Sequence, residues 1–257
     1  MRKAYLMNVK DLPLREVFSL LPAWRREKAE RLRFEKDKKA SAGVWLLLMY
    51  AIKKEGLSCG EVAFSEQGKP CFTDEALPRF CLSHSGDYVL CAIADEEVGC
   101  DVQEKVSPSL RLIDRVCTER EKPFFLASPQ GKLSSECETD EVVFPTSSAA
   151  CGRHLSPAGS VPVRLSMSTG HRFTAEPRFA PRRGRQEDIF TSLWAKKESL
   201  AKLSGEGMAA DFAHLETPPD PCLFVDNCAV YAYTKSGGFP QETAVVDLTE
   251  VLAYLKT

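Results

Sequence analysis

An amphipathic pattern runs from residue 187 to residue 205 and predicts one long helix. Its apolar side chains recur at helical spacing on a single arc: Ile189, Phe190, Leu193, Trp194, Leu200 and Ala201. Gly205 follows the last periodic residue, as is typical of a helix end. Lys197 lies inside the apolar arc, Glu198 on its edge and Lys202 one turn beyond. Charged groups beside a buried face need partners, so this helix is a candidate site; a Glu198–Lys202 pair on a solvated border is the alternative.

Shorter periodic segments predict the remaining elements. Residues 24–34 and 36–56 predict two helices, the second apolar from Val44 to Ile52 and ended by Gly56. This apolar run is far too short to span a bilayer, so we expect no membrane partner. Further helices are predicted at 110–125 and 249–256, and strands at 4–9, 80–83, 88–94, 98–103, 223–225, 229–234 and 243–246.

The periodic pattern is lost between residues 127 and 186. Ser, Thr, Pro, Gly and Arg dominate this segment, and no period persists for more than a few residues. Such a composition buries too little apolar surface to offset the entropy of folding. The segment is therefore predicted to be a long loop or a disordered insertion.

Composition and charge narrow the functional classes. The formal net charge of −2 over 257 residues gives no support for bulk binding of nucleic acid. The N-terminus shows no hydrophobic signal region, so a cytoplasmic location is expected. The ten cysteines include no C-x-x-C pair, and several fall in strand-like apolar runs. They are predicted to be buried free thiols rather than disulfides or a zinc site.

The predicted strand from Val98 to Gln103 carries a candidate metal site. Side chains alternate along a strand, so Asp101 and Gln103 project from the same face as Gly99, which would leave room beside them. Oxygen ligands at this spacing suit a hard divalent cation such as Mg²⁺. An edge strand with a wet face is the alternative, although aspartate is disfavoured in strands.

The polar link at residues 83–87 and the basic start of the second helix are candidate anion sites. Residues 67–70 form a turn signal between two extended pieces, and residues 83–87 link two strands through hydroxyl groups, an imidazole and a glycine. Such a link can direct N–H groups towards a phosphate, with an ordinary hairpin turn as the alternative. Basic residues that oppose the helix dipole at the start of the second helix indicate either solvation or a bound anion; they are Lys36, Lys38 and Lys39.

The order of these motifs resembles the 4′-phosphopantetheinyl transferases of the Sfp type. The family pattern runs GKP, SHS, (V/I)G(I/V)D(I/V)(E/Q) and W-x-x-KE(A/S)-x-x-K. Here the four motifs are Gly68-Lys69-Pro70, Ser83-His84-Ser85, Val98 through Gln103, and Trp194 through Lys202. The resemblance covers nearly the whole chain outside residues 127–186. It implies transfer of phosphopantetheine from coenzyme A to a serine of an apo carrier protein of fatty-acid, polyketide or nonribosomal-peptide synthesis, with release of 3′,5′-ADP.

The resemblance also implies a role for each motif residue. Asp101 and Glu198 would hold Mg²⁺, and Glu198 would be the base, directly or through a water. Gln103 stands where many members have a third acidic metal ligand, so weaker Mg²⁺ binding is expected. The remaining residues would contact the coenzyme. Its phosphates would be bound by Lys197, Lys202, Ser83 and His84. Its adenine would lie beside Lys69 and Pro70, and its 3′-phosphate would be bound by Lys38 or Lys39.

The fold implied by the resemblance is α+β. It is a pseudodimer of two similar halves, each a small antiparallel sheet packed with a long helix, at residues 1–97 and 98–257. The coenzyme would bind between the halves, and the protein would be a monomer. Two other functions fit the residues: a metal-dependent nucleotide phosphohydrolase, and a non-catalytic module that binds coenzyme A and a carrier.

Overall fold

Seventeen α-helices and β-strands and two short 3-10 helices lie in the part of the chain that the computed structural model describes, residues 1–126, 185–205 and 210–257. These residues belong to one compact unit and form small sheets and helices, a mixed α+β arrangement. In chain order the elements are β1 (Arg2–Asn8), α1 (Leu14–Leu20), α2 (Ala23–Glu30), α3 (Glu35–Lys54), β2 (Val62–Phe64), β3 (Pro70–Phe72), β4 (Arg79–Ser85), β5 (Tyr88–Ala94), β6 (Val98–Glu104), α4 (Leu110–Val116), α5 (Lys122–Leu126), α6 (Arg185–Ser204), β7 (Leu223–Val225), β8 (Cys228–Thr234), β9 (Gly237–Gly238), β10 (Thr243–Val246) and α7 (Leu248–Lys256).

Two four-stranded sheets carry most of the core. The first has the strand order β10-β1-β5-β4, and the second places β8 between β6 and β7, with β9 also paired to β8. All pairs are antiparallel except β1 with β10, which run parallel. The expectation of a purely antiparallel first sheet is therefore wrong, because its last strand arrives from the far end of the chain. A separate hairpin joins β2 to β3, and Gly68 in its turn has a φ of +82°.

Strand β5 is buried on both faces because each face packs against a different core. Val89, Cys91 and Ile93 lie in a cluster with apolar residues of α3, including Trp45 and Leu48. The alternate residues lie in a second cluster with side chains of β6 and β8: Leu90, Ala92 and Ala94. This alternation explains why the segment reads as a continuous apolar run in the sequence.

Strand β6 lies between the second core and helix α6. Val98, Cys100 and Val102 point into the core, as the alternation predicts. The opposite face meets α6, and a Cβ atom added at Gly99 would overlap the carbonyl oxygen of Ser199. The room that Gly99 was expected to leave beside the polar side chains is thus filled by the helix backbone. Its missing side chain lets α6 lie directly on β6.

The last two elements of the chain complete the first sheet. Strand β10 pairs with β1, and α7 packs on α3, where the Tyr50 hydroxyl donates to Glu250 (2.6 Å) and Lys53 Nζ donates to the Tyr254 carbonyl (3.0 Å). Residues 243–257 thus pack with elements from the first 97 residues. The division at residue 97 and the pseudodimer symmetry stay predictions.

Several element boundaries differ from the sequence prediction. Helix α1 was not predicted, because it is short and has no side-chain cap. The helix expected over residues 110–125 is two helices, interrupted where Thr118 and Glu121 bind each other's backbone N–H groups. This reciprocal pair is a capping box that starts a new helix. Residues 185 and 186, expected in the insertion, begin α6; the rest of the insertion, 127–184, lies outside the described residues.

Two sequence expectations concern the described residues as a set. All eight cysteines in the described ranges are free, as predicted, but not all are buried: Cys59 is exposed, and Cys71 and Cys222 are partly exposed. In the same ranges, no helix has the length and apolar character needed to cross a membrane.

Candidate active site

Three elements bring one polar cluster together. Asp101 comes from β6, Ser83 from β4 and Lys202 from α6. Lys202 Nζ donates to Asp101 Oδ1 (2.7 Å) and to Ser83 Oγ (2.9 Å), and Ser83 Oγ donates to the same Oδ1 (2.6 Å). Ser83 and His84, predicted in a link between strands, belong to β4, so only Gly86 and Asp87 form the turn. The strand gives Ser83 a fixed orientation.

Asp101 is buried and has one oxygen without a partner. Its side chain is 6% exposed, and no hydrogen-bond donor of the described residues reaches Oδ2. A buried carboxylate oxygen without a partner is costly, and a cation is a ligand that would satisfy it. Among the described residues, no group of three or more His, Cys, Asp or Glu side chains is arranged so that it could hold a metal ion. The available acidic ligands are therefore Asp101 and its neighbour on α6.

That neighbour is Glu198, which is half-buried one turn before Lys202. Burial raises its pKa, and the negative charge of Asp101 raises it further, while Lys202 acts in the opposite direction. The two carboxylates thus lie within electrostatic reach of each other. A divalent cation would relieve this repulsion and bind the free Oδ2, so the residues present fit Mg²⁺.

Gln103 lies two residues beyond Asp101 on β6. Its side-chain amide nitrogen donates to the Glu104 carbonyl at 3.1 Å. The donor end of the amide is thus engaged, which leaves its oxygen as the atom that would face a cation. The role of Gln103 as a metal ligand stays a prediction.

Lys202 is held as a cation by its surroundings. Burial disfavours its charged form, but the hydrogen-bonded carboxylate of Asp101 more than offsets this and raises its pKa. Lys202 therefore stays protonated at neutral pH. A protonated lysine in this position neutralises one charge of the carboxylate pair.

Lys197 does not lie with this cluster. Its side chain is 1% exposed, and Nζ donates to the carbonyls of Val116 (2.7 Å) and Phe212 (2.9 Å) and to Glu121 Oε2 (2.7 Å). All three N–H bonds of the ammonium group are occupied. This placement differs from the prediction that Lys197 faces the phosphates. Glu121, the partner of Lys197, was not singled out in the sequence; the T-x-x-E capping pattern is the signal that marks it.

The other residues predicted to contact the coenzyme have partners outside this hydrogen-bonded cluster. Lys69 Nζ donates to the Val98 carbonyl (3.1 Å) and contacts Glu97, so it lies at the start of β6, while Pro70 begins β3. Lys39 Nζ donates to the Lys10 carbonyl (2.9 Å) and pairs with Glu35 (3.0 Å). Lys38 is half-buried in the first turns of α3.

His84 follows Ser83 and has an exposed side chain. Its pKa is lowered by partial loss of solvent around the ring and then by the positive charges of Lys202 and Arg25. Arg25 was missed in the sequence, where it is one of many charges on α2. It is buried, it donates to the Ser41 carbonyl, and it lies against the Trp45 ring. His84 is thus near more positive charge than the local sequence indicates.

Comparison with known proteins identifies relatives of the chain. The 4′-phosphopantetheinyl transferase psf-1 of Bacillus pumilus is 33% identical over 188 residues, which cover 72% of this chain and 58% of the relative. The chain is similar to the Sfp-type 4′-phosphopantetheinyl transferases. The 4′-phosphopantetheinyl transferase Sfp of Bacillus subtilis (strain 168) is 30% identical over 112 residues, 42% of this chain and 50% of the relative. A shorter match of 44 residues is 50% identical to the 4′-phosphopantetheinyl transferase AcpT of Escherichia coli O157:H7, covering 17% of this chain and 23% of the relative.

The matched regions cover part of each relative. The chain spans about half the length of Sfp in the matched region, and no protein-family model matches it. The relation to phosphopantetheinyl transferases confirms the resemblance seen in the four motifs. The roles of individual residues in this chain depend on its own geometry.

Proposed function

We propose that this protein transfers 4′-phosphopantetheine from coenzyme A to a serine of an apo carrier protein and releases 3′,5′-ADP. The observation that carries the proposal is the cluster of Asp101, Lys202 and Ser83 with Glu198 beside it. It occurs in a chain related to phosphopantetheinyl transferases. An acidic pair with an adjacent fixed cation suits chemistry on a pyrophosphate.

Asp101 and Glu198, with the Gln103 side chain beside them, are the residues that would hold Mg²⁺. When bound, the ion would supply positive charge to the pyrophosphate and so stabilise the charge that develops during transfer. The free Oδ2 of Asp101 is the atom best prepared for this role, because Oδ1 already accepts two hydrogen bonds.

Glu198 is the proposed base. Its pKa is raised by burial and by Asp101, and a carboxylate with a raised pKa is a better proton acceptor near neutral pH. In the reaction the serine oxygen of the carrier forms a bond to the β-phosphorus of coenzyme A. The bond from that phosphorus to the bridging oxygen breaks, 3′,5′-ADP leaves with the electron pair, and the serine proton passes to Glu198.

Lys202 supplies a fixed positive charge next to the reacting phosphates. It is already protonated and already held by Asp101 and Ser83, so little reorganisation is needed when the phosphate arrives. His84, Lys69, Pro70 and Lys38 or Lys39 are proposed to bind the rest of the coenzyme. We leave Lys197 out of this set because its ammonium group is fully engaged in the interior.

We further propose a cytoplasmic monomer. The ground for the monomer is the predicted pseudodimer, in which one chain would supply both halves of the site. The carrier partner would be an acyl or peptidyl carrier protein.

The test is intact mass spectrometry of an apo carrier protein incubated with this protein, coenzyme A and Mg²⁺, with EDTA as the control. The expected result is a metal-dependent gain of one phosphopantetheine, which is lost almost completely in Asp101→Ala. If no carrier of the three pathways gains mass while coenzyme A is bound, the protein is a binding module. If coenzyme A is cleaved without a carrier, the protein is a phosphohydrolase.

A further inference from the structure

Three side chains of β4 bind the backbone of β6 in register, although the two strands belong to different sheets. The donor–acceptor pairs are Cys100 N to Cys81 Sγ (3.2 Å), Val102 N to Ser83 Oγ (3.3 Å) and Glu104 N to Ser85 Oγ (3.0 Å). Positions advance by two on each strand, so alternate side chains of β4 take the place of the carbonyl groups of a neighbouring strand. This side-chain ladder fixes the position of β6 along β4.

Ser83 is the central rung of the ladder, and its hydroxyl group is fully used. A serine hydroxyl has one hydrogen to donate and can accept two hydrogen bonds. Ser83 donates its hydrogen to Asp101 Oδ1 and accepts from the Val102 N–H and from Lys202 Nζ. Phosphate oxygens need donors. In this arrangement the Ser83 hydroxyl has no hydrogen to offer to a phosphate, which differs from the role that the family resemblance implied.

The hydrogen bonds from Ser83 and Lys202 determine which oxygen of Asp101 is free. Oδ1 accepts from both Ser83 and Lys202, whereas Oδ2 is buried with no donor among the described residues. Because Ser83 is buried and bonded to the backbone of β6, the carboxylate cannot rotate without breaking the two hydrogen bonds that Oδ1 accepts. The arrangement therefore presents Oδ2 in one fixed orientation.

We infer that Ser83 is a positioning residue that orients Asp101 for a divalent cation, rather than a ligand of the coenzyme phosphates. The inference rests on the proposed function in taking Asp101 as the metal ligand. Ser83 would act through Asp101 and would not touch coenzyme A. Its loss would weaken metal binding and, once Mg²⁺ is saturating, leave coenzyme A binding unchanged.

The experiment compares Ser83→Ala with Ser85→Ala in the full chain. Ser85 forms the same kind of rung to β6 but has no contact with Asp101, so Ser85→Ala is a matched control for the ladder. Binding of Mn²⁺, a probe for this oxygen-ligand site, is measured by electron paramagnetic resonance of the free ion without substrate. Transfer assays then give the half-saturating Mg²⁺ concentration and the KM for coenzyme A.

We expect Ser83→Ala to weaken Mn²⁺ binding about tenfold, the effect of losing one hydrogen bond to a charged group, and to raise the half-saturating Mg²⁺ concentration similarly. The KM for coenzyme A, measured at saturating Mg²⁺, should stay unchanged, and Ser85→Ala should bind Mn²⁺ like the wild type. Ser83→Cys keeps the shape with a weaker donor and serves if the alanine variant does not fold; it should also bind Mn²⁺ more weakly.

Two results would overturn the inference. A raised KM for coenzyme A with unchanged Mn²⁺ affinity would assign Ser83 to the phosphates. Equal losses of Mn²⁺ affinity in the Ser83 and Ser85 variants would assign the effect to strand pairing. A wild-type protein that binds Mn²⁺ but transfers nothing would refute the proposed function, while the ratio between the two variants would still decide the role of Ser83.

Discussion

Lys197 and Lys202 lie on the same helix, yet their ammonium groups have opposite surroundings. Lys202 meets Asp101 and Ser83 in the candidate site, whereas Lys197 is enclosed by Glu121 and two carbonyl groups in the interior. The wheel of an ideal helix placed Lys197 on the apolar arc. That position is correct, and its physical meaning is burial with an acidic partner.

Lys197→Met should therefore reduce stability. Removing one partner of a buried ion pair leaves the other charge uncompensated, which costs about 3–5 kcal/mol. The measurement is the free energy of urea unfolding. Lys122→Met, which removes surface pairs from the same segment, is the control and should change little. A double variant with Glu121→Gln should recover part of the loss; if Lys197→Met is as stable as the wild type, the buried pair is not a structural anchor.

Gln103 occupies the position at which the family pattern has either a glutamate or a glutamine. Because a neutral amide attracts a cation less than a carboxylate does, Gln103→Glu should lower the Mg²⁺ concentration that gives half-maximal transfer several-fold. The assay is a Mg²⁺ titration of carrier modification followed by mass spectrometry. An unchanged Mg²⁺ dependence would show that residue 103 takes no part in metal binding.

Helix α6 is the element on which the site depends, because it carries both Glu198 and Lys202. Its rotation is set from two sides. The Lys197 pair holds it on one side, and the close approach to Gly99 of β6 holds it on the other. The amphipathic pattern predicted the helix and its end at Gly205, which has a φ of +83°. The amphipathic pattern did not predict the contact with β6. Backbone atoms make that contact, and the periodicity of side chains does not report on backbone contacts.

Gly99→Ala should disturb this element directly. The added methyl group would overlap the Ser199 carbonyl and lie 2.7 Å from the Leu203 nitrogen, so the helix must shift away from β6. Overpacking of this kind costs about 1–3 kcal/mol or more, and transfer activity should fall because Glu198 and Lys202 move together. Urea unfolding and the transfer assay measure the two effects.

Gly43→Ala is the control for this substitution. The methyl group at residue 43 would meet a side-chain methyl of Val9, which has more freedom to adjust than a backbone carbonyl. We expect a smaller loss of stability and no loss of activity. Equal losses in the two variants would show that the contact between Gly99 and α6 has no special role.

At the scale of the whole molecule, the sequence predicted most helices and strands. It did not predict which elements far apart in the chain pair or pack with each other. Strands β4, β5 and β6 follow from their apolar patterns. The parallel pairing of β10 with β1 does not, since nothing local to residues 243–246 specifies a partner at the other end of the chain. The same limit applies to the site: Asp101, Glu198 and Lys202 were identified from motifs, whereas the ladder of Ser83 and Ser85 depends on the register between two sheets.

Helices α5 and α6, which flank residues 127–184, contact each other. The contribution of residues 127–184 to stability and activity can therefore be tested by replacing them. The Gln186 side-chain amide donates to the Phe124 carbonyl (3.4 Å), and the rings of Phe125 and Phe190 contact each other at a centroid distance of 5.4 Å. A short Gly/Ser linker in place of residues 127–184 can therefore join α5 to α6 without displacing either helix. Closing a shorter loop also costs less entropy.

We expect this linker variant to keep the melting temperature of the full chain, or exceed it, because the elements that form the candidate site lie outside the replaced residues. Transfer to at least one carrier should persist, and a panel of carriers compares its selectivity with that of the full chain. Activity that is retained while the range of carriers widens would assign the segment to carrier selection, and an unchanged range would show that it is dispensable. A variant that does not fold would show that α6 needs the segment, against the expectation that Lys197, Gly99 and the aromatic contact hold the helix in place.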